Sequence, residues 1–235
     1  MGIHGFIEFA NRLLTFALVV VAALTLITVF RFADARQLKL RKPAVALLLG
    51  IPAQAIIGGI SVLTKLNPWV VGLHFVTSGL MIAVAAVLLC RVKGWGSSAS
   101  ATVLSTMILI VGAIAVLVGV AVTGAGPHSG DAKTPRNGLD LEMWQHYHSY
   151  PGYLLLLLVV VQVAVLWRAG ARLDSLAFRV SALLLATVVF QAVIGVIQSR
   201  LGVPPLLVGL HMLGASTAIA LLTLQRLVTK AKATV

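Results

Sequence analysis

The run WVVGLHFVTSGLMIAVAAVLLC, residues 69–90, contains no acidic residue, lysine or arginine over its whole length. An α-helix needs about 20 apolar residues to cross the ~30 Å hydrocarbon layer of a bilayer. A continuous apolar run is typical of a helix, whereas a membrane-spanning strand alternates apolar and polar residues. Residues 69–90 therefore predict a transmembrane helix, and His74 is expected to lie inside it.

The rest of the chain has the same character. Hydrophobic residues make up 60% of the 235 residues, charged residues make up 10%, and the mean hydropathy is +1.04. Together with 69–90, six further apolar runs predict an all-α polytopic membrane protein with seven transmembrane helices. These runs are 12–30, 43–62, 102–123, 148–167, 176–197 and 205–225.

The net charge of +12 is concentrated in four segments: 31–42, 91–95, 167–172 and the tail 225–235. All four lie on one side of the membrane if the spans alternate in direction. The positive-inside rule then places the N-terminus outside and the C-terminus in the cytoplasm. The charge thus indicates orientation and contact with the lipid bilayer, and no nucleic-acid partner is expected.

An internal repeat divides the chain. QAIIGGISVLTKLNPWVVGLH (54–74) aligns without a gap with QAVIGVIQSRLGVPPLLVGLH (191–211), and ten of the 21 positions are identical. Chance in this apolar alphabet would give roughly two identities. The offset of 137 residues moves four spans along the chain, which predicts two parallel repeats about an axis along the membrane normal. The predicted units are 1–95, an N-terminal half-bundle, and 96–235, a C-terminal four-helix bundle.

Extending this register backwards aligns Asn11 with His148 and Glu8 with Gln145. The fourth span, 102–123, has its counterpart upstream of Met1 in the same register. The repeat therefore predicts two halves of four helices each, with an eighth helix preceding the first span.

Three histidines are predicted to lie near the outer ends of their helices. His74 and His211 follow Pro68 and Pro205 by six residues, or about 9 Å along a helix axis. His148 begins the fifth span, so it is expected to converge with His211 at a similar depth. Two imidazoles from two helices suit bis-histidine ligation of a haem inside a four-helix bundle.

The alternatives for these histidines are structural. An intramembrane histidine often hydrogen-bonds a neighbouring carbonyl or hydroxyl, and Thr77 and Ser78 are close to His74 in sequence. A zinc site is less favoured, because no cysteine or carboxylate lies at the same depth. For a haem, small residues near His211 (Gly209, Gly214 and Ala215) would let a flat macrocycle approach the backbone.

Three further residues bear on this site. His146 is the rival of His148 as a ligand, although it lies outside the repeat register. Pro151 favours the first turn of a helix, so His148 is expected to precede the regular helix. Glu8 is either a carboxylate that favours a helix start or a group that transfers protons beside a substrate.

At these residues the sequence resembles the haem A synthase family. IEFANRLLTF (7–16) is similar to that family's Glu-x-x-His-Arg element, and the segments 53–75, 122–131 and 202–215 are similar to its other hallmarks. The resemblance covers nearly the whole chain. It implies eight transmembrane helices in two four-helix halves and the oxidation of a methyl group of haem o to the formyl group of haem a.

The resemblance also implies roles for individual residues. His148 and His211 would ligate haem b, His74 would ligate the substrate haem, and Glu8 would be the functional glutamate. Asn11 and Arg12 would stand beside the substrate haem. Asn11 occupies the place of the family's usual histidine, so His74 would bind the iron alone or with a weak sixth ligand.

The resemblance further implies a place in the cell. The chain would lie in a bacterial plasma membrane, receive haem o from its synthase and serve the assembly of terminal oxidases. The main alternative is a bis-histidine b-type cytochrome that only transfers electrons. The electron acceptor and self-association into a homo-oligomer stay open.

Overall fold

The computed structural model describes residues 3–32, 34, 38–96, 102–127 and 134–229, and for residues 3–8, 11 and 102 only the backbone. Seven α-helices long and apolar enough to cross a membrane make up nearly all of these residues, and they contain no strand. This confirms the predicted fold class. The helices are α1 (Ile3–Arg31), α2 (Arg41–Leu63), α3 (Pro68–Val92), α4 (Thr102–Ala125), α5 (Leu141–Arg168), α6 (Leu176–Arg200) and α7 (Pro205–Thr229).

The start of α5 corrects one prediction. The helix begins at Leu141, where the Asp140 carboxylate accepts a hydrogen bond of 2.7 Å from the Met143 backbone N–H. Pro151 lies inside the helix rather than in its first turn. The Asp140 cap lets α5 begin earlier than the apolar run does. Membrane helices tolerate an internal proline, so Pro151 does not end the helix. His148 is therefore seven residues into a regular helix, instead of preceding it.

The last four helices close into a bundle. Helix α4 packs against α5, α5 against α6, α6 against α7, and α7 returns to α4. At its centre lies a cluster of buried apolar side chains from all four helices, including Ile108, Leu155, Leu184 and Leu222. Helix α3 packs against both α4 and α7, α2 packs against α3, and α1 packs against α2. The arrangement places α3 between the bundle and the first two helices.

Local structure recurs at the offset of 137 residues. Helix α3 (Pro68–Val92) and α7 (Pro205–Thr229) have bounds that coincide in this register, and α1 and α5 end at the equivalent residues Arg31 and Arg168. The turns that precede α3 and α7 both use a pair of residues with positive φ, Lys65–Leu66 and Gly202–Val203. Each turn thus produces the same helical hairpin, α2–α3 or α6–α7. The symmetry axis that would relate the two halves stays a prediction.

A network of hydrogen-bonded polar side chains lies deep in the bundle. Gln162 Nε2 donates to Ser181 Oγ and to Gln225 Oε1, both at 3.0 Å, and Gln225 Nε2 donates to the Ser105 carbonyl at 3.0 Å. All four side chains are fully buried, and they come from α5, α6, α7 and α4. Buried hydrogen bonds of this kind join helices in a medium that offers no water. The network therefore connects all four helices of the bundle at this depth.

Candidate functional site

His148 and His211 face one another inside the four-helix bundle. Their ring centroids are 6.1 Å apart and their planes make an angle of 75°. His148 comes from α5 and His211 from α7, at similar distances from the helix starts. The structure therefore brings together the two imidazoles that the sequence predicted to converge.

Both imidazoles have a buried nitrogen without a hydrogen-bond partner. Nδ1 of His148 and Nδ1 of His211 are buried and have no hydrogen-bond partner. The His148 ring also hydrogen-bonds the backbone of Ala115 on α4. A metal-ligating histidine commonly uses one nitrogen for the metal and the other for a carbonyl that orients the ring. Each imidazole of the pair thus keeps a nitrogen that is available to a ligand, since most buried polar atoms in proteins are hydrogen-bonded.

The separation of the rings is compatible with one iron atom between them. Two metal–nitrogen bonds of about 2 Å, together with two ring half-widths of about 1 Å, span roughly 6 Å between centroids. The observed separation is 6.1 Å. Neutral imidazoles from two helices of a bundle are typical axial ligands of b-type haem. His148 and His211 are therefore the residues that would hold a haem iron in this bundle.

Glycines lie against both rings. A Cβ atom added to Gly119 on α4 would lie 2.9 Å from Cε1 of His148, which is too close for two carbon atoms. A Cβ atom added to Gly195 on α6 would lie 3.6 Å from Cε1 of His211, which is an ordinary contact. Gly119 thus provides the space in which the His148 ring is seated.

This difference gives a prediction with a matched control. Gly119→Ala is expected to push His148 out of alignment with His211 and to weaken haem binding about tenfold, as displaced supporting groups do at metal sites. Gly195→Ala should leave haem binding nearly unchanged. Haem titration of the purified variants, followed by absorption spectroscopy, measures both effects. Equal affinities for the two variants would show that the space at Gly119 does not control the ring.

His74 occupies the corresponding place in the first half. Its ring lies over Gly58 on α2, and a Cβ atom at that glycine would be 3.4 Å from Cε1 of His74. Gly58 and Gly195 are equivalent in the repeat register, as are His74 and His211. Nδ1 of His74 is also buried without a hydrogen-bond partner. All three histidines that the sequence selected inside the membrane thus share an unpartnered nitrogen.

The structural alternative for His74 involved the neighbouring hydroxyl groups. Thr77 Oγ1 donates instead to the Leu73 carbonyl at 2.8 Å, and Ser78 Oγ donates to the His74 carbonyl at 3.0 Å. Both hydroxyls therefore donate their proton to the helix backbone. The described residues contain no group of three or more His, Cys, Asp or Glu side chains that could hold a metal ion.

The other predicted residues are placed as follows. His146 is exposed on α5, two residues from His148. Arg12 is exposed on α1. The side chains of Glu8 and Asn11 lie outside the described residues, although their backbone belongs to α1. The structure thus separates His146 from the paired imidazoles and leaves the other three assignments as predictions.

Sequence reasoning missed two glutamines beside these histidines. Gln54 Nε2 on α2 donates to the His74 carbonyl at 3.1 Å, and Gln191 Nε2 on α6 donates to the His211 carbonyl, also at 3.1 Å. Gln54 and Gln191 open the two aligned repeat segments, so their identity was visible in the sequence. Polar side chains in otherwise apolar spans were the available signal for a contact with the neighbouring helix.

One small residue has another role than predicted. A Cβ atom at Gly214 would collide with the side-chain amide of Gln191. The space above Gly214 is therefore filled by this amide and is closed to a macrocycle. A Cβ atom at Gly209, by contrast, would meet nothing within 4 Å.

Comparisons with models of protein families, with curated proteins and with solved structures give no match to this chain. The functional interpretation therefore depends on the residues described above and on their geometry.

Proposed function

We propose that this membrane protein binds haem b through His148 and His211 and oxidises a methyl group of a second haem, haem o, to a formyl group. The observation that carries the proposal is the facing pair of buried imidazoles, 6.1 Å apart, with unpartnered nitrogens. Bound haem b would supply one-electron redox chemistry, while the protein supplies binding, orientation and proton transfer.

The first half supports a substrate role for the second haem. His74 is seated like His211, but the described side chains give it no imidazole partner, whereas His148 and His211 form a ring pair. An iron with one strong protein ligand keeps a position open for reaction, while two strong ligands favour simple electron transfer. This asymmetry favours the enzyme over a cytochrome with two equivalent six-coordinate haems.

The proposed reaction adds water oxygen to the methyl carbon and releases four electrons and four protons for each formyl group formed. The electrons leave to an external acceptor. A carboxylate at the outer end of α1, Glu8, is the proposed acceptor of protons, because a positioned carboxylate can remove protons as the methyl group is oxidised. Arg12 and Asn11 are proposed to adjoin the substrate haem.

The proposal is tested by expressing the protein with a source of haem o and identifying the extracted pigments by mass. We expect haem b to copurify with the protein and haem a to accumulate. Cells with the haem o source alone provide the control. Haem b bound without any haem a would favour the b-type cytochrome, and a protein that binds no haem would contradict both functions.

The location of the protein follows from the same proposal. The seven apolar helices make it a multi-pass membrane protein. We propose a bacterial plasma membrane, with the N-terminus outside, the C-terminus in the cytoplasm and both haem sites near the outer surface. Haem o synthase would be the donor of the substrate, and terminal oxidases under assembly would receive the product.

A further inference from the structure

We infer that Gln54 and Gln191 are positioning residues that fix the histidine-bearing helices α3 and α7 against their hairpin partners. This inference deepens the proposed function, because it names the groups that set the orientation of His74 and His211. Neither glutamine contacts an imidazole in the described hydrogen bonds. Each one acts on the backbone of the histidine instead.

The two contacts are equivalent in the repeat register. Each glutamine precedes its histidine by 20 residues, and each amide nitrogen lies 3.1 Å from the histidine carbonyl oxygen. The glycine one helical turn further along, Gly58 or Gly195, lies beneath the ring of the same histidine. The amide therefore holds the backbone of the histidine against the neighbouring helix, and the glycine lies beside its ring.

Each glutamine amide makes its described hydrogen bonds through its Nε2 atom alone. The Oε1 atoms of Gln54 and Gln191 are buried and have no hydrogen-bond partner. An unpartnered buried oxygen has a cost in free energy, which the donated hydrogen bond of the same amide offsets. Loss of the Gln191 bond would remove the described side-chain hydrogen bond to the His211 carbonyl.

The two halves differ in how the amide is secured. In the first half, Gln54 Nε2 also donates to Ser78 Oγ, which itself donates to the His74 carbonyl. In the second half, Ala215 stands at the position of Ser78, and the amide of Gln191 passes over Gly214. Gly214 thus supports the contact between the Gln191 amide and the His211 carbonyl, because a methyl group at that position would displace the amide.

The test uses the purified full-length protein with ¹⁵N-labelled histidine side chains, in the absence of added haem. His74→Ala and His211→Ala assign the two ring signals in the NMR spectrum. Gln191→Met, which keeps the length of the side chain but removes the donor, should move the His211 signal and leave the His74 signal in place. Gln54→Met should do the reverse. A general loss of folding would instead move both signals together.

Glycine variants provide the matched control. Gly214→Ala should reproduce the spectrum of Gln191→Met, and combining the two changes should add little, because both break the same contact. Gly209→Ala should leave both ring signals unchanged, since its new methyl group meets open space. Wild-type ring signals in Gln191→Met would overturn the inference.

Haem binding provides the functional readout. In Gln191→Met the dissociation constant for haem b should rise about tenfold, as it does when a supporting group of a metal ligand is lost, with a larger high-spin fraction in the absorption spectrum. Unchanged haem affinity together with a shifted His211 signal would overturn the positioning role. A wild-type protein that binds no haem would contradict the proposed function, while the NMR comparison would still decide the contact.

Discussion

Replacing His211 with alanine is expected to abolish the low-spin, six-coordinate haem b spectrum of the purified protein. Among the described residues, His211 forms an imidazole pair with His148 in the bundle, at a centroid separation of 6.1 Å. Its removal leaves His148 as the single strong ligand, so any haem that stays bound should be high-spin. Haem content after purification should fall at least about tenfold. Optical and electron paramagnetic resonance spectra of equal protein amounts measure the change.

His146→Ala provides the matched control, because it removes an exposed imidazole two residues from His148. The control should keep the wild-type spectrum, whereas His148→Ala should behave like His211→Ala. A wild-type low-spin spectrum in either His148→Ala or His211→Ala would contradict the assignment of these residues as axial ligands. A loss of the spectrum in His146→Ala would point to the rival ligand.

Replacing Glu8 with glutamine is expected to stop the formation of haem a while haem b stays bound. The substitution keeps the size of the side chain but removes the charge and the basic oxygen. Proton transfer by a positioned group contributes roughly 10²–10⁴-fold to the rate of a reaction, so haem a yield should fall by at least about 10²-fold. The yield is measured by mass analysis of the pigments from cells that supply haem o.

Glu142→Gln is the control for Glu8→Gln. Glu142 is an exposed carboxylate in the first turn of α5, where it favours the start of the helix. Its replacement should leave the haem a yield unchanged. If Glu8→Gln also gave a wild-type yield, Glu8 would be a helix-start residue of the same kind as Glu142.

The sequence was sufficient to predict the membrane helices, because apolar length alone distinguishes a spanning helix. It was less reliable where polar residues extend a helix beyond the membrane. The first turns of α5 contain Glu142, Gln145 and three aromatic residues. The continuous apolar run of this helix therefore begins only near His148. The cap at Asp140 and the tolerated Pro151 decided the true start, and both are local backbone effects.

For the candidate site, too, the sequence predicted some of the residues and missed others. The repeat register selected His74 and His211, because these equivalent positions carry the same unusual residue type, and His148 was selected because it begins the fifth span. It did not assign partners to the glutamines, since a single polar residue in an apolar span gives no information about the helix that it faces. Gln162 and Gln225 each follow a histidine by 14 residues, about 21 Å along the helix, and their mutual hydrogen bond required the packing of α5 against its neighbours.

The two hairpins of the bundle have a consequence for the biogenesis of the protein. His148 belongs to the hairpin α4–α5 and His211 to the hairpin α6–α7, so the ribosome delivers the two ligands to the membrane at different times. A haem held by both residues would link the two hairpins near the starts of α5 and α7, in addition to the Gln162–Gln225 contact deeper in the bundle. Because a ligand stabilises only the state that binds it, cells short of haem would accumulate a protein that lacks this link and is more open to proteolysis. The supply of the cofactor would then regulate how much of the protein survives.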